Sequence, residues 1–175
     1  MIEQVAFEAR GSELVDKKSG VSARLTISAY ENAVSAAERR AIINGEKETQ
    51  VWLSDLIGII PSITGKIELV YEGEQEGPYQ VAFNLLEKAI RTQFGLYFPN
   101  PDSLKKKRGK KDATPEDNPY KAITRWFDAG NALNTFFETR DEDKVQLLYK
   151  VDGLHALVKK YFKAANEKEN ALLME

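Results

Sequence analysis

The tightest constraint on the fold is a long alanine-rich segment between Ser22 and Gly45. Ile27, Tyr30, Val34, Ala37 and Ala41 recur there at spacings of three and four, the period of one face of an α-helix. Ser22 has the chemistry of an N-cap and Gly45 that of a stop. Ser28-Ala-Tyr-Glu31 also has the form of a capping box, so a later start stays open. A helix of this length must bury one face, and the rest of the chain has to supply what covers it.

The remaining pattern is helical too. Residues 2–15 place Ile2, Val5, Phe7, Ala9 and Leu14 in a short pattern that Gly11 weakens. Asp16 to Gly20 reads as a polar turn. Ser54 or its neighbour can cap a short helix running to about Ile60, where Pro61 breaks or restarts it. Ile67 to Tyr71 reads as a short extended piece or another helical turn. Pro78 opens a helix with two stripes: Phe83, Leu86, Ile90, Phe94 and Tyr97, and then Val81, Leu85 and Ala89. Two stripes predict burial on two sides. Residues 101–117 are polar and poor in apolar side chains, as in a mobile linker. Asn118-Pro119 predicts an N-cap with proline in the first helical position. Ile123, Trp126, Phe127, Gly130, Leu133 and Phe137 then make an aromatic-rich face. Thr139-Arg-Asp-Glu142 predicts a capping box for one last long helix, with Leu147, Val151, Leu154, Val158 and Tyr161 as its seam. Ala171-Leu-Leu-Met174 is a candidate docking turn in the tail. The expected fold class is all-α. The expected organisation is a helical domain over 1–97, a charged linker over 98–118, a helical extension over 119–163 and a tail over 164–175.

Composition removes several kinds of chemistry. With 175 residues and 42% hydrophobic content the chain can bury a core. It has no cysteine, which excludes disulfides and thiolate zinc sites. A single histidine, His155, excludes a multi-histidine metal site and stands beside no nucleophile motif. The net charge of −2 gives no general pull toward nucleic acid or an anionic membrane. No apolar run approaches the roughly 18 residues of a membrane span. The N-terminal residues lack the basic and apolar regions of a signal peptide, so a cytoplasmic setting is expected. Met1 enters a helical pattern without a cap, which suggests a polypeptide that continues upstream.

Four short steps stand in order: Ser22-Ala-Arg24, Leu53-Ser-Asp55, Ile60-Pro61-Ser-Ile-Thr-Gly-Lys66, and Tyr71-Glu-Gly-Glu-Gln-Glu-Gly77. Order and spacing resemble the C-terminal helical lid of MoxR and magnesium-chelatase-I type AAA+ ATPases. There a Ser-Pro-Arg step, a Thr-Pro-Glu-Asp step, an apolar-Pro-Asp-x-Leu-Arg-His-Arg step and a Phe-Glu-Ala…Glu-Gly step follow one another. The resemblance covers residues 1 to about 95. The wording is similar to bacterial proteins labelled magnesium chelatase or sigma-54-interacting regulator. It implies an AAA+ lid-type helical bundle followed by a helical extension. It also implies a sensor-2-like role for Arg24, on nucleotide phosphates of its own or a neighbouring subunit. An arginine fork at a helix start suits that task, because it can clamp phosphate oxygens bidentately. Arg39, Arg40 and Lys66 are candidate subunit contacts. The family's Leu-Arg-His-Arg step is Ile63-Thr-Gly-Lys66 here, so two of its basic side chains have no counterpart.

The chain holds no Gly-x-x-x-x-Gly-Lys-Ser/Thr phosphate loop and no apolar strand ending in paired acids. No catalytic residue, metal or cofactor is therefore expected in it. The resemblance implies ATP and Mg²⁺ for the full-length protein, whose hydrolysis would come from an upstream core. The implied partners are that core, neighbouring ring subunits and a protein client, with no membrane partner. Other features are better read as structural. Glu38, Arg39 and Arg40 are expected on the solvated face of the long helix. Glu68, Glu72, Glu74 and Glu76 lack a calcium-loop spacing. The run Lys105 to Lys111 has no interleaved aromatics, so nucleic acid is not expected. Trp126 and Phe127 fit core packing. The alternative reading is a stand-alone helical protein-interaction module that docks through Trp126 and Phe127.

Overall fold

The computed structural model describes residues 1–101, 118–135, 139–163 and 166–175. They are mostly helical, as expected, and the chain divides into two compact units, Met1–Leu96 and Tyr97–Glu175. Most of the linker span, the lysine run Lys105–Lys111 and Phe137 lie outside the described residues.

The first unit begins with α1 (Ile2–Gly11) and α2 (Leu25–Asn44). A 3-10 segment (Leu53–Ile59) runs directly into α3 (Ile60–Thr64). Pro61 lies in the first turn of α3, where its missing N–H costs no helical bond, so it restarts a helix rather than ending one. Next come α4 (Tyr71–Glu76) and α5 (Pro78–Tyr97). Gly45 stops α2 in the left-handed conformation, φ 67°, and returns its N–H to Ala41 and Ile42. Val5, Ala9, Leu25, Ala29, Ile59, Ile63, Val81, Leu85 and Ala89 lie in one buried cluster.

The buried face of α2 is not the seam expected from its large side chains. Leu25, Ala29, Ala33, Ala37 and Ala41 face inward, while Ile27 and Tyr30 are 61% and 64% exposed. The alanines let the 3-10 segment come close: a Cβ on Gly58 would stand 2.9 Å from that of Ala36. In α5 the stripe of Val81, Leu85 and Ala89 is buried together with Ala82 and Leu86, and Phe83, Phe94 and Tyr97 are exposed. Burial on two sides does not hold for that helix.

Among the described residues the only β pairing is a small antiparallel clasp, with bridges between Val15 and Leu69 and between Val21 and Ile67. Its bonds run from Val70 N to Leu14 O (3.1 Å), Asp16 N to Glu68 O (2.8 Å), Glu68 N to Gly20 O (3.2 Å) and Ser22 N to Lys66 O (2.9 Å). The segment Ile67 to Val70 is thus extended, and α4 begins at Tyr71. Gly73 lets α4 pass the clasp, since a Cβ there would lie 2.5 Å from the Leu14 carbonyl oxygen.

The second unit contains α6 (Lys121–Asp128), α7 (Asp141–Tyr149), α8 (Leu154–Tyr161) and α9 (Glu167–Met174). The expected single long helix is two, because Gly153 turns the chain at φ 80° between α7 and α8. Val151 and Val158 of the expected seam are buried, and the break puts Leu148 and Leu157 inside in place of Leu147 and Leu154. The N-cap of α7 is Arg140 rather than Thr139. The expected tail is folded in part as α9. Asn166 caps that helix by accepting from Glu169 N at 2.9 Å, and Ala171 and Met174 are buried where it packs on α7 and α8. Phe98 packs on Tyr161 and Phe162 with ring centroids 5.7 and 5.3 Å away.

Candidate functional site

The site built around Arg24 starts from the clasp. Asp16 Oδ1 accepts from Lys18 N (2.6 Å) and Ser19 N (2.9 Å), which closes the turn before the chain returns along Lys66–Val70. The Ser19 amide, then that of Lys18, hold the Asp16 carboxyl below its ordinary pKa. The last clasp bond fixes Ser22 on Lys66. Ser22 then starts the helix from outside, its Oγ accepting from Arg24 N at 3.2 Å and its carbonyl from Leu25 N at 3.0 Å. Ser22 is therefore not the N-cap expected of it: Arg24 holds that position, and helical residues run from Leu25 onward.

Arg24 is exposed at the last position before the helix. No acidic residue lies in the first turn of α2, so the positive end of the helix dipole is not offset there by a carboxylate of its own. The Ser22–Lys66 bond brings Lys66, half-buried, to the same end of the unit as Arg24. An exposed arginine at a helix start without acids has the chemistry to meet an anionic oxygen group.

The other expected residues divide. Arg39 is exposed, but 15 residues along α2 from Arg24, or about 22 Å of helix. Arg40 is not on the solvated face. It is 4% exposed and forks onto Asp55, with Nε to Oδ1 at 3.1 Å and Nη2 to Oδ2 at 3.0 Å. Nη2 also donates to Thr49 Oγ1 and the Gln50 carbonyl, each at 3.0 Å. The guanidinium is spent inside its own chain, which corrects its assignment to an exposed subunit contact. Asp55 serves twice, since its Oδ2 also accepts from Trp52 N at 2.9 Å. One signal for this existed in the sequence: an acid three residues after Trp52, at the N3 position of a helical start.

Among the described residues no group of three or more His, Asp or Glu could hold a metal ion. Of the acidic cluster, Glu76 accepts from Asn84 Nδ2 at 2.6 Å, and the Glu68 backbone belongs to the clasp. His155 lies against Tyr149, ring centroids 5.0 Å apart. Trp126 and Phe127 meet edge to face at 4.9 Å on α6, a helix with no buried residue, so they are not core. Tyr120 O–H donates to the Pro99 carbonyl at 2.6 Å; burial, and then the nearby Tyr161, push its pKa up. Two polar features had no sequence signal of their own. Lys144 is fully buried with Nζ 3.5 Å from Glu175 Oε1, and Glu8 is a hub between α1 and α5.

Compared with known proteins, the chain matches no family model, no curated protein and no solved structure.

Proposed function

We propose that the chain is the C-terminal lid and helical extension of a ring-forming AAA+ ATPase of the MoxR and magnesium-chelatase-I type. Its first unit would close over ATP held with Mg²⁺ by an upstream core, in the cytoplasm. The observation that supports this most is Arg24: an exposed side chain at a helix start without acids, two residues after the Ser22–Lys66 bond of the clasp. In this reading Arg24 forks onto phosphate oxygens and stabilises charge that develops on them. Lys66 adds a point charge from the same side. The core supplies the hydrolytic chemistry, and this chain supplies closure and charge. Arg39 remains the exposed candidate for a contact with a neighbouring subunit, while the second unit would serve packing or a protein client.

The test is Arg24→Ala in the assembled ATPase. Turnover is expected to fall by about tenfold or more, since arginines on transferring phosphoryl groups contribute at least that much. Circular dichroism should not change, because the side chain is exposed. Unchanged turnover removes the role.

One observation favours a second reading, a helical interaction module. α6 buries none of its residues and presents Phe127 at 45% exposure beside Trp126. A partner captured in solution and lost in Phe127→Ser, with Arg24→Ala having no effect on it, would support that reading.

A further inference from the structure

Helix α2 ends on a chemically reactive pair. Of the chain's asparagines only Asn44 is followed by glycine. In an open chain the backbone nitrogen after an asparagine can attack that asparagine's own carboxamide carbon and close a five-membered imide. Glycine favours the step, because it puts no side chain in the way and turns freely at the backbone.

The fold holds both reacting groups. Asn44 is the last helical residue of α2, and its Nδ2 donates to the Arg40 carbonyl, one turn back, at 2.9 Å. Gly45 N–H donates to the carbonyls of Ala41 and Ile42, and Glu46 N donates to the Ala41 carbonyl at 2.9 Å. These bonds make a Schellman turn, with Gly45 at φ 67°. Arg40 also ties down the chain beyond the turn, through Thr49 Oγ1 and the Gln50 carbonyl at 3.0 Å each. The attacking nitrogen is therefore occupied as a donor, and the carboxamide is fixed by its own bond. Attack requires the turn to open and Gly45 N–H to leave its carbonyls. Helix ends open locally in this way more often than a whole domain unfolds.

We propose that Asn44–Gly45 is a modification site gated by the last turn of α2. Closed, the turn guards the amide; open, the pair converts without an enzyme. The Gly45 nitrogen bonds to Asn44 Cγ, the Cγ–Nδ2 bond breaks, and ammonia leaves with the proton from Gly45 N. Water then opens the imide at either carbonyl, which gives aspartate or its isomer with an extra methylene in the main chain. Water is the only co-reactant, and nothing is oxidised or reduced. Both products carry a carboxylate where the helix dipole is negative, and neither keeps the Nδ2 donor for the Arg40 carbonyl. The guanidinium four residues back is already engaged by Asp55. The conversion thus weakens the turn that prevented it. This chemistry is independent of the ATPase reading.

The test incubates the full chain at mildly alkaline pH, folded in buffer and unfolded in urea, and follows each asparagine by peptide mapping with mass spectrometry. Asn32, which is followed by alanine, is the internal control. In urea Asn44 is expected to convert at least about tenfold faster than Asn32. In the folded chain Asn44 is expected to convert at least about tenfold more slowly than in urea. Asn44→Asp installs one product directly. It should speed hydrogen exchange of the Gly45 and Glu46 amides about fivefold and leave those of Ala33 and Ala37 within about twofold. Equal conversion of Asn44 in the folded and unfolded chain overturns the gate. So does an Asn44 that converts no faster than Asn32 in urea, and neither result requires a variant to fold. Unchanged exchange at Gly45 and Glu46 in Asn44→Asp overturns the weakening of the turn.

Discussion

The two units each bury a cation, and they hold it differently. In the first unit Arg40 is buried and is braced by Asp55, Thr49 and Gln50 at 3.0–3.1 Å. In the second, Lys144 is fully buried, and its ammonium stands 3.5 Å from Glu175. Arginine's planar fork can meet several acceptors at once, whereas lysine offers a point charge on a flexible stem. The fork thus locks two segments, the end of α2 and the start of the 3-10 segment. The lysine links α7 to the residue that follows α9.

The sharpest way to break this contrast is to remove each carboxylate in turn. Asp55→Ala leaves Arg40 charged and buried and takes the acceptor from Trp52 N. It is expected to cost about 3–5 kcal/mol, the usual loss when one partner of a buried pair is removed. Urea unfolding followed by the fluorescence of Trp52, which is fully buried, reads the loss. Glu175→Gln is expected to cost less, about 1–3 kcal/mol, because it removes a charge at a 3.5 Å separation and keeps a polar group in place. Trp126 reports on that unit. Equal losses would mean that the two cations are held alike.

A second pair of substitutions sharpens the comparison at two glycines, with expected costs of about 1–3 kcal/mol. A Cβ at position 73 meets the Leu14 carbonyl oxygen at 2.5 Å, and that carbonyl is fixed by its bond from Val70 N. A Cβ at position 153 meets the Cβ of Ala122 at 2.5 Å, on α6, which is anchored by no buried residue and can yield. The second substitution still pays roughly 1 kcal/mol for a left-handed backbone. Thermal denaturation should rank Gly73→Ala as the more damaging. The reverse order would show that α6 is held more firmly than its burial implies.

The same contrast explains what the sequence revealed. Helix positions in the first unit were legible because they have punctuation: Gly45 closes α2 and Pro78 opens α5 at the expected residues. The inward faces were not. Judged by size, Ile27 and Tyr30 outrank alanine, yet the alanine stripe is buried because close packing on Gly58 rewards small side chains. In the second unit, helical periodicity runs on through Gly153, and only the backbone turn there separates α7 from α8. At the candidate site Arg24 was legible as an exposed helix-start arginine. The bond from Ser22, two residues before it, to Lys66 was not, because the clasp joins residues far apart in sequence. Arg40 was misplaced for a related reason: its partner Asp55 lies in the next element, and no local pattern shows an ion pair across two elements.

The Glu8 hub yields a smaller effect, with a defined pH sign. The hydrogen bond from Lys88, with those from Gln4 and Thr92, lowers the carboxyl's pKa against a partial opposing effect of burial. A group with a depressed folded pKa adds stability above its unfolded pKa, and that stability is lost as pH falls through the folded value. Wild-type stability should therefore drop on the acid side of the ordinary glutamate range. Glu8→Gln should flatten that part of the curve, as measured by urea midpoints between pH 6 and 3, an interval of about this width being set by the glutamate range. Identical acid limbs for the two proteins would show that the hub adds nothing to folding.

The smallest expected effect is at Phe127. α6 has one apolar side carrying Ile123, Trp126 and Phe127, yet none of its residues is buried. A side chain that folding leaves 45% exposed has little transfer free energy to lose. Phe127→Ser should therefore change the stability of the second unit by no more than about 0.5 kcal/mol, as do most surface substitutions. Leu148→Ala, in the same unit and fully buried, should cost about 2–5 kcal/mol by leaving a cavity. Chemical denaturation of both variants under identical conditions measures the gap. A Phe127→Ser loss near that of Leu148→Ala would place the aromatic pair in a core and remove it as a surface for partners. A negligible loss leaves Phe127 as a side chain that folding does not need, which is what an interaction surface requires.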